Sequence, residues 1–193
     1  MTEPLLDRRA VVAELLTDRA EMIVVTGLGS PSYDAMAAGD HDLNYYLWGA
    51  MGGAAMVGLG LAKSRPDRSV LVITGDGEML MAMGALATIA VQAPANLTIA
   101  VLDNGYYGET GMQLSHTGHG VELSRVADSV GFGWTSRITD MAGVTDLRHR
   151  VHQKDTLNCA TIAISSAEVE RVLPSRDGVY IKNRVKMALG YTV

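Results

Sequence analysis

Residues 72–111 read VITGDGEMLMAMGALATIAVQAPANLTIAVLDNGYYGETG, and two short clusters in this stretch organise the reading of the whole chain. Gly75-Asp76-Gly77 closes the run SVLVIT, and Asp103-Asn104-Gly105 closes the run NLTIAVL. Both runs are continuously apolar and rich in β-branched residues, the pattern of strands buried on both faces of a parallel sheet. Met79–Val91 between them carries helical spacing. The stretch therefore predicts one strand–helix–strand unit, and a right-handed crossover brings both clusters to the same sheet edge. In open α/β sheets ligands gather at that edge, beyond the carboxyl ends of the strands.

The same alternation extends in both directions. Leu5–Asp18 repeats apolar residues at helical spacing and is expected to form an amino-terminal helix within residues 1–20 that packs on the domain. EMIVVTG follows as a strand, then a loop containing Pro31 and Gly39. Leu123–Val130, Met141–His152 and Val179–Leu189 read as helices, and GWTSRI and CATIAIS as strands. The expectation is one α/β domain over residues 1–193, a doubly wound, mainly parallel sheet with helices on both faces. No repeat or linker composition divides it.

Leu43–Ala62 is the ambiguous segment. Its 20 residues carry no charge and are long enough to cross a bilayer. Five glycines and an early Asn44 instead fit a strand, a tight turn and a helix with a small-residue face. No membrane association is expected.

Composition narrows the classes of function. The formal charge is −5 with no Lys/Arg run, so the basic footprint of a nucleic-acid or anionic-membrane binder is missing. A single cysteine, Cys159, lies in an apolar strand, excludes an internal disulfide framework and suits a reducing cytoplasm. The start is polar and charged and lacks the pattern of an export signal. A nicotinamide-binding sheet is disfavoured because TGLGSPS supplies Gly27 and Gly29 without a third glycine.

The paired clusters permit a specific chemistry. Asp76 offers a carboxylate, Asn104 an amide oxygen and the following turn its backbone carbonyls, an oxygen set suited to Mg²⁺. Glycines beside Asp76 allow backbone to approach a phosphate, so the two clusters together read as a metal-bridged diphosphate site rather than two ordinary turns.

A GDG cluster at a strand end, followed one βαβ unit later by an Asn-containing turn, resembles the signature of thiamine-diphosphate enzymes. YYLWGAMGGAAMVGLGLA, LDNGYYGETGMQ and YIKNRVKMALG extend that resemblance over nearly the whole chain. Within the family the chain is similar to the small β subunits of sulfopyruvate decarboxylases and to the carboxyl-terminal domain of phosphonopyruvate decarboxylases. The resemblance implies a thiamine-diphosphate- and Mg²⁺-dependent 2-oxoacid decarboxylase subunit. It implies Mg²⁺ held by Asp76, Asn104 and the backbone carbonyl of Tyr106. Gly75, Gly77, Glu78, Tyr107 and Gly108 would line the diphosphate, with the Glu78 side chain turned away and Asp103 holding its turn.

Gly49, Ala50 and Met51 match the stretch beneath the cofactor, where Met51 would wedge the two rings into a V and the Gly49 carbonyl would meet the aminopyrimidine. Gln113 and His116, with Glu109 and His119, are candidates for substrate contact, although each also fits a solvated loop; a zinc site at His116 and His119 lacks further ligands. The acid that activates the cofactor would come from the pyrimidine-binding domain of a separate α subunit, because Glu3 and Glu14 lie in the amino-terminal segment. An α2β2 or larger hetero-oligomer follows, meeting the partner on the Gly52–Ala62 and Met79–Val91 helices. A carboligase of acyloin or acetolactate-synthase type and a noncatalytic diphosphate-binding assembly module are the alternatives.

Overall fold

The β-branched runs become the strands of one six-stranded parallel sheet: β1 (Ile23–Thr26), β2 (Asn44–Tyr46), β3 (Val70–Gly75), β4 (Leu97–Asp103), then β7 (Trp134–Ile138) and β8 (Asn158–Ala163). The computed structural model describes residues 5–193, so Glu3 lies outside the described residues. The strand order is β2-β1-β3-β4-β8-β7. β5 (Tyr106–Tyr107) and β6 (Gln113–Leu114) form a separate antiparallel hairpin beyond the end of β4.

Helices cover both faces. On one side α1 (Arg8–Leu15), α2 (Ser30–Ala37) and α7 (Met141–Gln153) bury Val11, Leu15, Ala35, Leu147 and Val151 against Leu71, Ile73 and Ala160. On the other, α3 (Ala54–Ser64), α4 (Asp76–Met81), α5 (Met83–Gln92) and α6 (Leu123–Val130) bury Leu59, Met79, Leu86, Ile89 and Leu123 against Val72, Ile99 and Cys159. α8 (Gly178–Ala188) closes the β2 edge. A sheet covered on both faces is why β3 and β4 are apolar without alternation. The doubly wound α/β architecture expected from the sequence is the one observed.

The uncharged segment 43–62 resolves into β2, a turn through Gly49 and Gly52 at φ +74° and +88°, and the 11-residue α3. Among the described residues no helix is long and apolar enough to cross a membrane.

Three expectations need correction. The helix read over Met79–Val91 is two helices with a break at Ala82, whose Cβ abuts the turn at Gly52; the first of them starts three residues earlier, directly at the end of β3. The amino-terminal helix is shorter than Leu5–Asp18: Asp7 caps it by accepting from the Ala10 N–H, and Asp18 at φ +52° lies beyond its end. The loop containing Pro31 and Gly39 holds α2. Pro31 sits in its first turn, where no N–H is needed, and Gly39 follows its end at φ +121°.

Candidate active site

β3 and β4 pair in register with Gly75 opposite Leu102, so Asp76 and Asp103-Asn104 emerge side by side from neighbouring strands. The 28 positions that separate Asp76 from Asn104 in the chain collapse to adjacent strand ends. A cleft of about 720 Å³ opens there, at the carboxyl ends of β1, β3, β4 and β8. It includes the point between β1 and β3 where the strand order reverses.

Asp76 forms the floor. Its carboxylate is buried and accepts from the hydroxyls of Ser115 at 2.5 Å and Thr117 at 2.9 Å. Thr117 also lies 2.6 Å from Asp103 Oδ1, which in turn accepts the Gly105 N–H at 3.0 Å. Burial pushes the Asp76 carboxyl above the ordinary carboxylate range; the Ser115 hydroxyl opposes this and the neighbouring Asp103 charge adds to it. No lysine or arginine among the described residues forms an ion pair with Asp76.

Ser115 and Thr117 reach Asp76 because the chain doubles back after β4. The β5–β6 hairpin reverses it, the Ser115 N–H donates to the Gly105 carbonyl at 2.9 Å, and Gly118 packs so closely on Gly105 that a Cβ would fall 2.6 Å from that carbonyl oxygen. Asn104 folds into an Asx turn by accepting the Tyr106 N–H at 2.9 Å. Tyr107 lays its ring over Gly77, where a Cβ would come within 2.7 Å of it, and Gly75 faces open space.

Glu78 turns its carboxylate into the protein. It accepts from Thr74 Oγ1 at 3.0 Å and the Gly52 N–H at 3.2 Å, and fills the space a side chain at Gly27 would need. Gly27 is small for Glu78. Burial raises the Glu78 pKa, and the Thr74 hydroxyl with the backbone N–H groups of Gly52, Ala54 and Leu28 holds it down.

Met51, Gly75, Asp76, Gly77, Glu78, Asn104, Tyr106, Tyr107 and Gly108 all line the cleft, and so does Glu109. Gly49 and Ala50 lie outside the lining, in the turn that presents Met51. Gln113 is spent on Thr110, donating to its carbonyl at 2.9 Å and accepting its hydroxyl at 3.0 Å. His116 stands 3.2 Å from the Tyr107 hydroxyl, itself outside the lining, as is His119 in the 3₁₀ turn Thr117–His119. Reasoning from sequence missed Ser115, Thr117, Arg8 and the segment Ser165–Arg171, which forms a wall of the cleft. Pairs 39 and 41 positions apart leave no local signal.

An oxygen-only site fits these residues. Among the described residues no three His, Cys, Asp or Glu side chains are grouped to hold a metal. A cation at Asp76 would therefore need neutral oxygens, such as those of Asn104 and the Tyr106 backbone, and oxygens from a bound ligand, the habit of Mg²⁺ beside a diphosphate. A buried carboxylate without a cationic partner beside open backbone at Gly75 matches that requirement.

The fold and this cleft define an open α/β domain of the kind that binds ligands beyond the carboxyl ends of its strands. A family model described as thiamine pyrophosphate enzyme, C-terminal TPP binding domain, matches residues 19–167, and the chain belongs to that family. It is 37% identical over 144 residues to a sulfopyruvate decarboxylase of Methanosarcina acetivorans, covering 75% of this chain and 37% of that protein. It is 41% identical over 109 residues to the sulfopyruvate decarboxylase subunit beta of Methanocaldococcus jannaschii, covering 56% of this chain and 57% of that one. A phosphonopyruvate decarboxylase of Streptomyces viridochromogenes is 40% identical over 136 residues, covering 70% of this chain and 33% of the relative. Among solved structures, the benzoylformate decarboxylase from Polynucleobacter necessarius shares the fold with a TM-score of 0.68 at 18% identity, over 86% of this chain and 34% of that one.

Proposed function

We propose that the chain, as one diphosphate-binding domain over residues 1–193, is the β-type subunit of a thiamine-diphosphate- and Mg²⁺-dependent 2-oxoacid decarboxylase. The observation that carries this reading is the in-register delivery of Asp76 and Asn104 to one cleft, with the Asp76 carboxylate buried and, among the described residues, in no ion pair. When bound, thiamine diphosphate supplies the electron sink that makes loss of CO₂ from a 2-oxoacid possible.

The chain's own residues do the holding. Asp76, Asn104 and the Tyr106 carbonyl would bind the metal, and Ser115 and Thr117 would fix the Asp76 carboxylate so that its other lone pairs face the cleft. The open backbone at Gly75 would admit a diphosphate beside Gly77, with Tyr107 and Gly108 as its outer wall. Met51, on the glycine turn after β2, would support the cofactor rings. The acid needed beside the pyrimidine is assigned to a pyrimidine-binding α subunit: Glu14 accepts from Thr145 and pairs with Arg148, a structural role against α7. A sulfopyruvate- or phosphonopyruvate-like substrate accords with the names of the relatives.

Calorimetry with thiamine diphosphate tests the reading. Affinity is expected to fall at least about tenfold, or 1.4 kcal/mol, when EDTA replaces Mg²⁺, and as much in Asp76→Ala. Unchanged affinity in both would remove the metal bridge. The isolated chain is expected to release no CO₂ from any 2-oxoacid and to do so once an α subunit is added.

A further inference from the structure

Between β8 and α8 the chain runs as an irregular strap, residues 165–177. It is pinned at three places: the Ser165 N–H donates to the Leu6 carbonyl at 2.7 Å, Arg9 Nη2 to the Glu170 carbonyl at 2.5 Å, and the Trp48 indole to the Ser175 carbonyl at 2.8 Å. Its first half forms a wall of the cleft and carries Arg171 on the rim.

Charge at the cleft is lopsided. Asp76, Glu109, Glu168 and Glu170 line it, against two cations among the described residues, Arg8 and Arg171. Arg8 is buried and committed, with Nη1 3.1 Å from Asp34 Oδ2. Arg171 is 64% exposed, and its Nη2 stands 3.7 Å from Glu109 Oε2, too long for a hydrogen bond. An exposed pair of that length is weak and easily exchanged. Two contacts nevertheless hold Arg171 and Glu109 in place. The guanidinium lies 5.7 Å from the centre of the Tyr33 ring, and Glu109 leans on the backbone at Gly29, where a Cβ would meet its Oε1 at 2.8 Å.

We infer that Arg171 is the receptor for a second anionic group on the substrate, a sulfonate, phosphonate or carboxylate at the end of a 2-oxoacid remote from the reacting carboxylate. The inference rests on the decarboxylase reading and deepens it. A dianion entering an acidic cleft needs a local cation, and the planar guanidinium offers paired N–H donors that match such oxygens. The incoming group takes the place of Glu109, whose carboxylate is partly exposed and returns to water. The receptor must serve the remote end. A cation fixed on the carboxylate that leaves as neutral CO₂ would hold back its departure, and Arg171 sits on the exposed rim while Asp76 lies buried on the floor.

Two measurements test this independently of one another. Binding of 3-sulfopropionate, succinate and propionate to the full chain is followed by ligand-observed NMR in wild type, Arg171→Gln and Glu109→Gln. Loss of the cation is expected to weaken one or both dianions at least about tenfold and leave the monoanion unchanged, whereas Glu109→Gln tightens the dianions. Which dianion responds distinguishes a sulfonate from a carboxylate receptor. Equal binding in wild type and Arg171→Gln, or equal loss for propionate, overturns the proposal. In the assembled enzyme, Arg171→Gln is expected to raise KM for a dianionic 2-oxoacid by a larger factor than it lowers kcat, and a loss confined to kcat overturns it. Arg171-dependent dianion binding in an assembly that decarboxylates nothing would sink the decarboxylase reading and leave the receptor standing.

Discussion

At the residue scale the site is governed by what each polar group finds to pair with. Among the described residues Asp76 finds two hydroxyls and no cation, Glu78 finds a hydroxyl and backbone N–H groups, and Gly27 is small because Glu78 occupies its space. Asp76 and Asn104 were legible as a pair because both stand at strand ends. Ser115 and Thr117 were not, since nothing in LSHTG marks which carboxylate its hydroxyls will meet. Cys159 shows the same dependence on surroundings in a simpler form. It is fully buried in β8, and burial pushes its thiol up to about 12. A raised pKa means the neutral thiol contributes stability that is fully present below the ordinary thiol range and lost as pH rises toward about 12. The native chain is therefore expected to leave Ellman's reagent unreacted at pH 8 and to release one equivalent per chain in urea. Rapid labelling of the native protein would show that β8 opens locally.

At the scale of elements, α3 offers an internal comparison of two glycines. A Cβ on Gly58 would meet Val72 Cγ2 at 2.3 Å, whereas one on Gly60 would meet nothing within 4 Å. Gly58 lets the helix lie close on β3, and Gly60 faces outward. Alanine is better than glycine in a helix by about 1 kcal/mol, so Gly60→Ala is expected to stabilise the chain by about 0.5–1 kcal/mol. Gly58→Ala gains the same propensity and loses more, because overpacking against a stiff β-branched neighbour costs about 1–3 kcal/mol. Urea denaturation of the two variants should therefore shift in opposite directions; a shift of both to higher urea would show that α3 can lift off the sheet at little cost. Element boundaries were read best where apolar periodicity was strong, as in α6 and α7. They were read poorly at α2, where the segment with Pro31 reads as a loop and Pro31 in fact opens a helix, and at Ala82, where a continuous apolar pattern is divided beside the turn at Gly52.

At the scale of the whole molecule, α3 and α5 leave an apolar surface uncovered. Met56 and Gly60 on α3, and Met83, Gly84, Ala87 and Val91 on α5, are exposed, Val91 by 82%, and α5 carries no charged residue. Small and flexible apolar side chains on two neighbouring helices suit the close approach of a partner subunit. In the reading proposed here, that partner is the α subunit. Met83→Glu combined with Val91→Glu is expected to change the stability of the isolated chain by no more than about 0.5 kcal/mol per site, since both side chains are exposed. The same variant should fail to co-elute with the α subunit on size-exclusion chromatography. Normal co-elution would place the partner elsewhere on the chain.

The order of strands and helices, the parallel sheet and the pairing of Asp76 with Asn104 were decided by the sequence itself, because apolar periodicity and turn chemistry act over a few residues and a βαβ crossover has one hand. The hydroxyls that hold Asp76, the burial of Glu78 against Gly27, and the strap that carries Arg171 to Glu109 and Tyr33 were decided only by the tertiary structure. Those contacts join residues 39, 41, 51, 62 and 138 positions apart (115 − 76, 117 − 76, 78 − 27, 171 − 109 and 171 − 33), and separations of that size are closed by sheet order and loop path rather than by any local preference of the chain.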